Sequence, residues 1–274
     1  MAVRELNIRS NRGSEFPAII VEGKRGGPLV LMVHGFKANK TEDDRFLDVA
    51  LSLSKYGVNS IMFAQAGCGD SKEDFINYTL NNSLDDIEVC YEYMIENYAI
   101  DKDRVGMIGY SMGGRLTALF IKKHPEIKVI GLWAAAVYDA FNNSDTFLGV
   151  SIKQMRKEAD EKGYCDFYNS FDDEYIKLNK ELIDNMELLS PVEGLNDYKG
   201  CCLIVHGDQD VTVEYQVALD CYDDLINAKD RKLVTVEGAD HGFGAWDNRK
   251  ELSKQLTDAT TDYFIKHLLE DTDV

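Results

Sequence analysis

Positively charged side chains are scarce in this sequence. Its 274 residues include 30 Lys and Arg but 48 Asp and Glu, so the formal net charge is −18. A surface of that sign repels nucleic-acid phosphates and anionic lipid headgroups. We therefore expect neither nucleic acid nor a membrane among the partners of this protein.

Long apolar runs and CxxC motifs are absent as well. Runs such as Pro28 to Val33 are far too short to cross a bilayer, and Met1 to Ser10 has neither the apolar core nor the cleavage site of a signal peptide. Scattered cysteines of this kind are typically small, buried and reduced. We expect a cytoplasmic protein without disulfides or a cysteine-bound metal. The six cysteines are Cys68, Cys90, Cys165, Cys201, Cys202 and Cys221.

Motifs that bind cofactors are missing too. The sequence contains no HExxH, no P-loop and no GxGxxG, which are short motifs for a catalytic metal, a nucleotide phosphate and a dinucleotide. We therefore expect a function that needs neither a metal nor an organic cofactor.

Apolar runs and helical patterns alternate along most of the chain. Leu29 to Val33 is a continuous apolar run, which is typical of a strand buried on both faces of a parallel sheet. A helical pattern with a candidate N-cap at Thr41 follows it. The alternation predicts an α/β fold whose mostly parallel sheet is covered by helices on both faces. It comprises an opening hairpin (5–9 and 18–22), strands at 58–64, 104–110, 129–135, 201–206 and 232–237, and helices at 83–98, 112–123, 214–227 and 250–269.

One segment interrupts this alternation. Residues 138–196 contain helical patterns at 151–162 and 177–188 around an aromatic-rich stretch at 164–171, and they offer no strand of the buried kind. We interpret them as a lid inserted over the strand ends, between core segments 1–137 and 197–274. Passive decoration of the core is the alternative.

The strongest chemical signal is the sequence Gly109-Tyr110-Ser111-Met112-Gly113-Gly114, between a predicted strand and a predicted helix. Glycines on both sides of a serine permit a turn tight enough to expose its hydroxyl in a strained backbone conformation. The helix that follows directs a backbone N–H at any anion formed there. We predict that Ser111 is a nucleophile, with a plain tight turn as the alternative.

A serine nucleophile needs a base, and five histidines compete for that role. His34 and His206 precede glycines at strand ends, while His124 and His267 lie at a helix end and in the last helix. His241 follows the last strand and fits the chain order Ser, Asp, His. We therefore predict that His241 is the general base.

The base in turn needs an acid that fixes its tautomer and stabilises the imidazolium. Asp208 and Asp210 both follow the strand before the last. Asp210 has room to curl back under His241, whereas Asp208 leaves the strand directly and is suited to shaping the turn. Asp240 is too constrained to face the ring of its neighbour. We predict that Asp210 is the supporting acid.

A transition-state oxyanion would need two hydrogen-bond donors near Ser111. The sequence His34-Gly35-Phe36 ends the first buried strand, where a backbone N–H can face the nucleophile. We predict that the N–H groups of Phe36 and Met112 form this oxyanion hole, and that the Phe36 ring lines the pocket for the acyl group.

Together these motifs resemble the α/β-hydrolase superfamily across nearly the whole chain. Residues 203–210 and 232–236 are more narrowly similar to bacterial cinnamoyl and feruloyl esterases, which carry a lid after the sixth strand. The motifs that carry the resemblance are His34-Gly35-Phe36, Gly67-Cys68-Gly69-Asp70-Ser71, Gly109-Tyr110-Ser111-Met112-Gly113-Gly114, His206-Gly207-Asp208-Gln209-Asp210 and Asp240-His241.

This resemblance implies an α/β-hydrolase fold of about eight strands and cleavage of a small-molecule carboxylic ester through an acyl-enzyme. It assigns the triad to Ser111, Asp210 and His241, and the oxyanion hole to Phe36 and Met112. In such esterases the lid holds the aromatic acid. The lid positions that we would assign to substrate binding are Asp139, Tyr164 and Tyr168.

Other functions fit the same residues. An aminopeptidase would need a carboxylate cluster in the lid to hold an amine, and Asp172, Asp173 and Glu174 offer one, with a solvated acidic turn as the plainer interpretation. A thioesterase or acyltransferase would use the same triad, and a ligand-binding module could keep the fold with weak catalysis. The oligomeric state, a homo-oligomer included, is left open by the sequence.

Overall fold

An eight-stranded sheet forms the centre of the computed structural model, which describes residues 2–138, 145–169 and 172–269. The strand order is β1-β2-β4-β3-β5-β6-β11-β12. The β1–β2 hairpin and its junction with β4 are antiparallel, and the other pairs are parallel, which confirms the predicted sheet. These strands are β1 (Val3–Arg9), β2 (Glu15–Val21), β3 (Leu29–Val33), β4 (Asn59–Phe63), β5 (Val105–Tyr110), β6 (Val129–Trp133), β11 (Cys201–Gly207) and β12 (Asp230–Val236).

Helices cover both faces of this sheet, as the apolar runs predicted. Along β3, Leu29, Leu31 and Val33 pack into one hydrophobic cluster, while Val30 and Met32 pack into the other. Both faces of the strand therefore need apolar side chains, which explains the unbroken run. One face is covered by α1 (Arg45–Ser54) and α8 (Lys250–Leu269), and the other by α2 (Leu80–Tyr98), α3 (Met112–Lys123) and α7 (Tyr215–Asp224).

The first helix starts later than the predicted N-cap at Thr41. Asp44 occupies the N-cap of α1, and Glu42, Asp43 and Asp44 all have positive φ, at 48°, 52° and 68°. Because of this turn, Glu42 is not part of the helix, and its side chain points into the interior. The prediction at Thr41 was wrong because a tertiary contact of Glu42 determines the local backbone.

The segment between β6 and β11 has its own small elements. They include a β9–β10 hairpin (Tyr164–Asn169 and Glu174–Asn179), two short strands (β7, Thr146–Phe147; β8, Val150–Ser151), and helices α4 (Ile152–Lys162), α5 (Lys180–Leu188) and α6 (Pro191–Asp197). The hairpin corrects the helical pattern proposed from residue 177, because the helix begins at Lys180. The division of the chain into core and lid stays a prediction.

Within the described residues, none of the helices combines the length and apolar character that crossing a bilayer requires. All six cysteines lie in the described part of the chain, where each is a buried free thiol.

Candidate active site

Ser111 lies in a tight turn between β5 and α3. Its φ of 53° and ψ of −115° are unusual for a residue with a β-carbon. The turn closes because Gly113 approaches the end of β3 so closely that a β-carbon there would overlap the carbonyl oxygen of Val33. The glycines of the motif therefore permit a strained backbone that directs the serine side chain away from the sheet.

The structure brings Ser111, His241 and Asp210 together. The Ser111 Oγ atom lies 3.0 Å from His241 Nε2, and His241 Nδ1 lies 2.7 Å from Asp210 Oδ2. A carboxylate on Nδ1 favours the tautomer in which Nε2 is free to accept the hydroxyl proton. The arrangement can therefore increase the nucleophilicity of Ser111.

Asp210 stays ionised although its carboxylate is buried. Its Oδ1 atom accepts hydrogen bonds from the N–H groups of Thr212 and Val213, each at 2.9 Å, and its Oδ2 lies 3.3 Å from His206 Nε2. Burial opposes ionisation, but hydrogen bonds from His206 and His241 hold the pKa of Asp210 well below its usual range. A permanently charged carboxylate is what a protonated His241 requires as its partner.

The other candidate aspartates have different partners. Asp208 Oδ1 accepts the N–H of Gly238 at 2.7 Å, and Asp240 Oδ1 accepts the N–H of Gly244 at 3.2 Å. Both carboxylates hold the loop that carries His241 rather than contacting its ring. Their positions agree with the choice of Asp210 over its neighbours.

His206 is a contributor to the site that the sequence analysis underestimated. The sequence analysis noted only its place before a glycine at a strand end, but its Nε2, which donates to the carbonyl of Val213 at 2.8 Å, also lies 3.3 Å from Asp210 Oδ2. The i to i+4 spacing in His206-Gly207-Asp208-Gln209-Asp210 was the available signal. His34, in contrast, is fully buried, and its Nε2 accepts the N–H of Gln65 at 3.0 Å. Burial lowers the pKa of His34 to about 4.

The His34-Gly35-Phe36 turn lies directly beside the nucleophile. A β-carbon on Gly35 would be 3.4 Å from the Ser111 β-carbon and 3.1 Å from the Tyr110 ring. This contact places Phe36 and Met112 next to Ser111, on the turn and at the helix N-terminus respectively. An oxyanion hole formed by their two N–H groups stays a prediction.

Aromatic rings surround Phe36 on its side of the site. Their centroids lie 5.4 to 6.2 Å from that of Phe36, in edge-to-face arrangements, and they belong to Phe75, Tyr78, Phe147 and Phe167. Rings in this geometry attract one another through their quadrupoles. The Phe36 side of the site is therefore a firm apolar wall.

A cavity of about 460 Å³ opens over Ser111 and His241. Its wall combines apolar groups with charged and polar ones, so it suits a small molecule that has both apolar and polar parts. The lining includes Phe36, Lys37, Asp43, Tyr110, Leu148, Asn169, Asp172, Thr212 and Trp246.

Of the lid positions assigned from the resemblance, Tyr164 and Tyr168 are described by the structure, and neither belongs to this lining. Tyr164 and Tyr168 lie on the outer side of β9, whereas Cys165, Phe167 and Asn169 alternate with them and are buried. Tyr168 is 41% exposed and donates a hydrogen bond to Asp173. Strand alternation therefore directs both tyrosines away from the buried side of β9. The sequence analysis did not apply this alternation to the stretch. Asp139 lies outside the described residues.

The site also contains a buried ion pair that the sequence analysis missed. Glu42 and Arg45 lie 3.2 Å apart (Oε2 to Nη2) beneath the Gly35 turn, and both line the cavity. No pattern distinguishes Glu42 from the acidic residues that follow it. In the part of the chain that the structure describes, no group of three or more His, Cys, Asp or Glu side chains is arranged to hold a metal ion.

Comparison with known proteins identifies a family. The model of the prolyl oligopeptidase family matches residues 67–270. Among curated proteins, a proline iminopeptidase from Saccharolobus solfataricus is 30% identical over 76 residues, which are 27% of this chain and 23% of that protein. The matched region therefore spans about a quarter of that relative.

Solved structures are similar over nearly the whole chain. Est1E from Butyrivibrio proteoclasticus with bound ferulic acid has a TM-score of 0.79 at 21% identity, covering 97% of this chain and all of that one. A hydrolase of Agrobacterium vitis S4, described as putative, has a TM-score of 0.76 at 19% identity, covering 96% and 98%. Mouse alpha/beta hydrolase domain-containing protein 10 reaches 0.73 at 18% identity, covering 97% and 99%. These similarities show the α/β-hydrolase fold.

Proposed function

The chain belongs to the prolyl oligopeptidase family and is an α/β hydrolase, and we propose that it cleaves carboxylic esters through an acyl-enzyme on Ser111. The observation that carries the proposal is the continuous contact from Ser111 Oγ through His241 to Asp210, at 3.0 and 2.7 Å. A serine, a correctly oriented imidazole and a buried carboxylate are the components of acyl transfer.

The proposed reaction has two balanced steps. Ser111 Oγ attacks the ester carbonyl while His241 Nε2 takes the hydroxyl proton, and the N–H groups of Phe36 and Met112 stabilise the oxyanion. The intermediate collapses with cleavage of the bond to the alcohol, which receives the proton from His241. Water then attacks the acyl-enzyme with the same base, which releases the acid and restores Ser111.

The acid part of the substrate is proposed to be aromatic, of the hydroxycinnamoyl type. The ring cluster around Phe36 supports this proposal, because aromatic rings prefer edge-to-face contacts with other rings. The structural similarity to Est1E, whose structure contains ferulic acid, also supports it.

The alcohol part is proposed to contact Trp246. Because His241 must protonate the departing alcohol, that group lies on the histidine side of Ser111. Trp246 lines the cavity there, 54% exposed, with its ring centroid 6.2 Å from that of His241. A β-carbon on Gly242 would come within 2.6 Å of the indole, so the absence of a side chain at Gly242 gives the ring its position.

A second candidate function is the release of N-terminal residues from peptides. Asp172 lines the cavity beside Asn169, whose side-chain nitrogen donates to it at 2.8 Å. A carboxylate in that position could bind the amino terminus of a peptide. The family description and the iminopeptidase match support this candidate.

The test is a panel of substrates with wild type, Ser111→Ala and a control, Ser71→Ala, which makes the same substitution outside the cavity lining. The panel contains methyl ferulate, methyl caffeate, short p-nitrophenyl esters and aminoacyl-anilides. Loss of the nucleophile should reduce kcat by roughly 10⁶-fold, and the control should match wild type.

The results distinguish the two candidate functions. Preference for the hydroxycinnamates over simple esters supports the aromatic-acid esterase. Preference for the anilides, lost in Asp172→Asn, supports the peptidase. Turnover that survives Ser111→Ala contradicts both.

A further inference from the structure

Glu42 carries a carboxylate into the interior beside the proposed catalytic residues. The residue is 2% exposed, and its Oε1 accepts the N–H of Gly35 at 2.6 Å. Burying a charge and holding the backbone at positive φ both cost free energy, so the surrounding contacts must compensate for them. The carboxylate fixes the peptide between His34 and Gly35, one residue before the peptide that carries the Phe36 N–H.

Arg45 connects Glu42 to the other catalytic loops. Its Nη2 lies 3.2 Å from the Glu42 carboxylate, and its Nη1 donates to the carbonyl of Gly242 at 2.8 Å. Its guanidinium lies 4.9 Å from the centre of the Tyr110 ring, and the Tyr110 hydroxyl donates to the carbonyl of His241 at 2.9 Å. A single ion pair therefore contacts the turn before Phe36, the nucleophile motif and the histidine loop.

We propose that Glu42 and Arg45 form a positioning pair that aligns the oxyanion turn with Ser111 and His241 for catalysis. The inference rests on the proposed function, since it assigns the pair to the same acyl-transfer site. Neither side chain touches the reacting atoms. The pair acts through Gly35 on one side and through Tyr110 and Gly242 on the other.

The charge of Glu42 depends on pH near neutrality. Burial raises the pKa of Glu42 to about 7, an effect that Arg45 and the Gly35 hydrogen bond oppose and Asp43 reinforces. Tyr110, Cys68 and Tyr78 are the other titratable groups that interact with it. As the pH falls below about 7, Glu42 takes up a proton and leaves Arg45 as a buried, uncompensated cation.

Two protonations should therefore reduce activity in acid. One is that of the histidine base, which is general to this mechanism, and the other is that of Glu42. In wild type the logarithm of the labelling rate should fall by about two units per pH unit in acid, which corresponds to the uptake of two protons. In Glu42→Gln it should fall by about one unit per pH unit. A residue with a purely structural role would change the stability without changing this slope.

The experiment measures the rate at which a fluorophosphonate labels Ser111 between pH 5 and 9. This probe reports the nucleophile, base and oxyanion hole without requiring the natural substrate. Glu42→Gln keeps an oxygen for Gly35 and loses the charge, and we expect labelling at pH 8 to slow by about 10- to 100-fold. Arg45→Lys keeps the charge but cannot span both partners, so labelling should slow while the acid slope stays at about two.

The matched control is Asp86→Asn. Asp86 is also a buried carboxylate paired with an arginine, Arg12, at 2.9 Å, and neither residue lines the catalytic cavity. We expect Asp86→Asn to lower the melting temperature while the labelling rate and its acid slope match those of wild type.

Two results would overturn the inference alone: wild-type rate and slope in Glu42→Gln, or an equal loss of rate in Asp86→Asn. A wild-type protein that the probe does not label at Ser111 would instead overturn the proposed function, and the role of the pair with it.

Discussion

At the scale of single residues, the two aspartates after β11 have opposite surroundings. Asp210 is buried and receives hydrogen bonds from two histidines and two backbone amides, whereas Asp208 is exposed and holds the N–H of Gly238. A single residue, Gln209, separates a charge that is maintained in the interior from one that shapes a loop. Their substitution should therefore have very different consequences.

We predict that Asp210→Asn lowers kcat by about 10⁴-fold, because an amide cannot stabilise the imidazolium and favours the wrong tautomer of His241. Asp208→Asn, which preserves the acceptor oxygen for Gly238, should stay within about twofold, in keeping with a surface hydrogen bond. Steady-state hydrolysis by the two variants measures the contrast. Equal losses would show that Asp210 supports the loop rather than the base.

Trp246 gives a second prediction at this scale. Esters of one acid with different alcohols form the same acyl-enzyme, so only acylation can depend on the alcohol. We expect Trp246→Ala to lower kcat/KM for a benzyl ester by about five- to tenfold, the value of one aromatic contact, and to leave the methyl ester nearly unchanged. Trp246→Phe should retain part of the preference. If the effect of Trp246→Ala on kcat/KM depends instead on the acid part of the ester, Trp246 contacts the acyl group.

At the scale of elements, the sequence predicted what local physics determines. The continuous apolar run of β3 predicted that the strand is buried on both faces, and the glycines around Ser111 predicted the turn before α3. Chain order then favoured His241, and the room to curl back favoured Asp210 over Asp208. Glu42 was not predictable, because its inward direction arises from a contact with Gly35, and no local pattern encodes that contact.

Strand β9 was overlooked for a different reason. Its inward positions are occupied by Cys165, Phe167 and Asn169, which include a polar amide beside apolar side chains. The alternation of apolar and polar residues with period two is therefore weak. The tyrosines at the alternate positions were more conspicuous and were assigned to the substrate. Small hairpins outside the central sheet lack the long apolar runs that make buried strands recognisable.

This alternation can be tested within β9. Phe167 is fully buried against Phe36 and Phe147, so Phe167→Ala should lower the free energy of unfolding by about 3–5 kcal/mol and raise KM for aromatic-acid esters. Tyr168→Ala, one residue on, should cost less than about 1 kcal/mol and leave KM unchanged. Urea titrations and Michaelis constants give both answers. A raised KM in the Tyr168 variant would restore that residue to the substrate site.

At the scale of the whole molecule, the segment between β6 and β11 is anchored to the helix that follows the nucleophile. Arg115 on α3 is fully buried, and its guanidinium donates to the carbonyls of Ala136 and Tyr138 at 3.5 and 3.4 Å. It also donates to Met186 and Leu189, at 3.0 and 2.9 Å. One side chain thus joins the chain just after β6 to the end of α5, and both are held against the helix that begins beside Ser111.

The net charge of −18 gives the last prediction, because it acts on every ligand that approaches this cavity. An anionic ester is repelled at about 0.01 M salt, where the Debye length is about 30 Å. It is repelled far less at about 0.15 M salt, where the Debye length is about 8 Å. We expect kcat/KM for methyl p-carboxycinnamate to rise several-fold between these salt concentrations at pH 8. Methyl cinnamate, the neutral counterpart, should change little. If the two esters respond alike, the nearby cations Lys37 and Arg45 must cancel the overall field at the cavity.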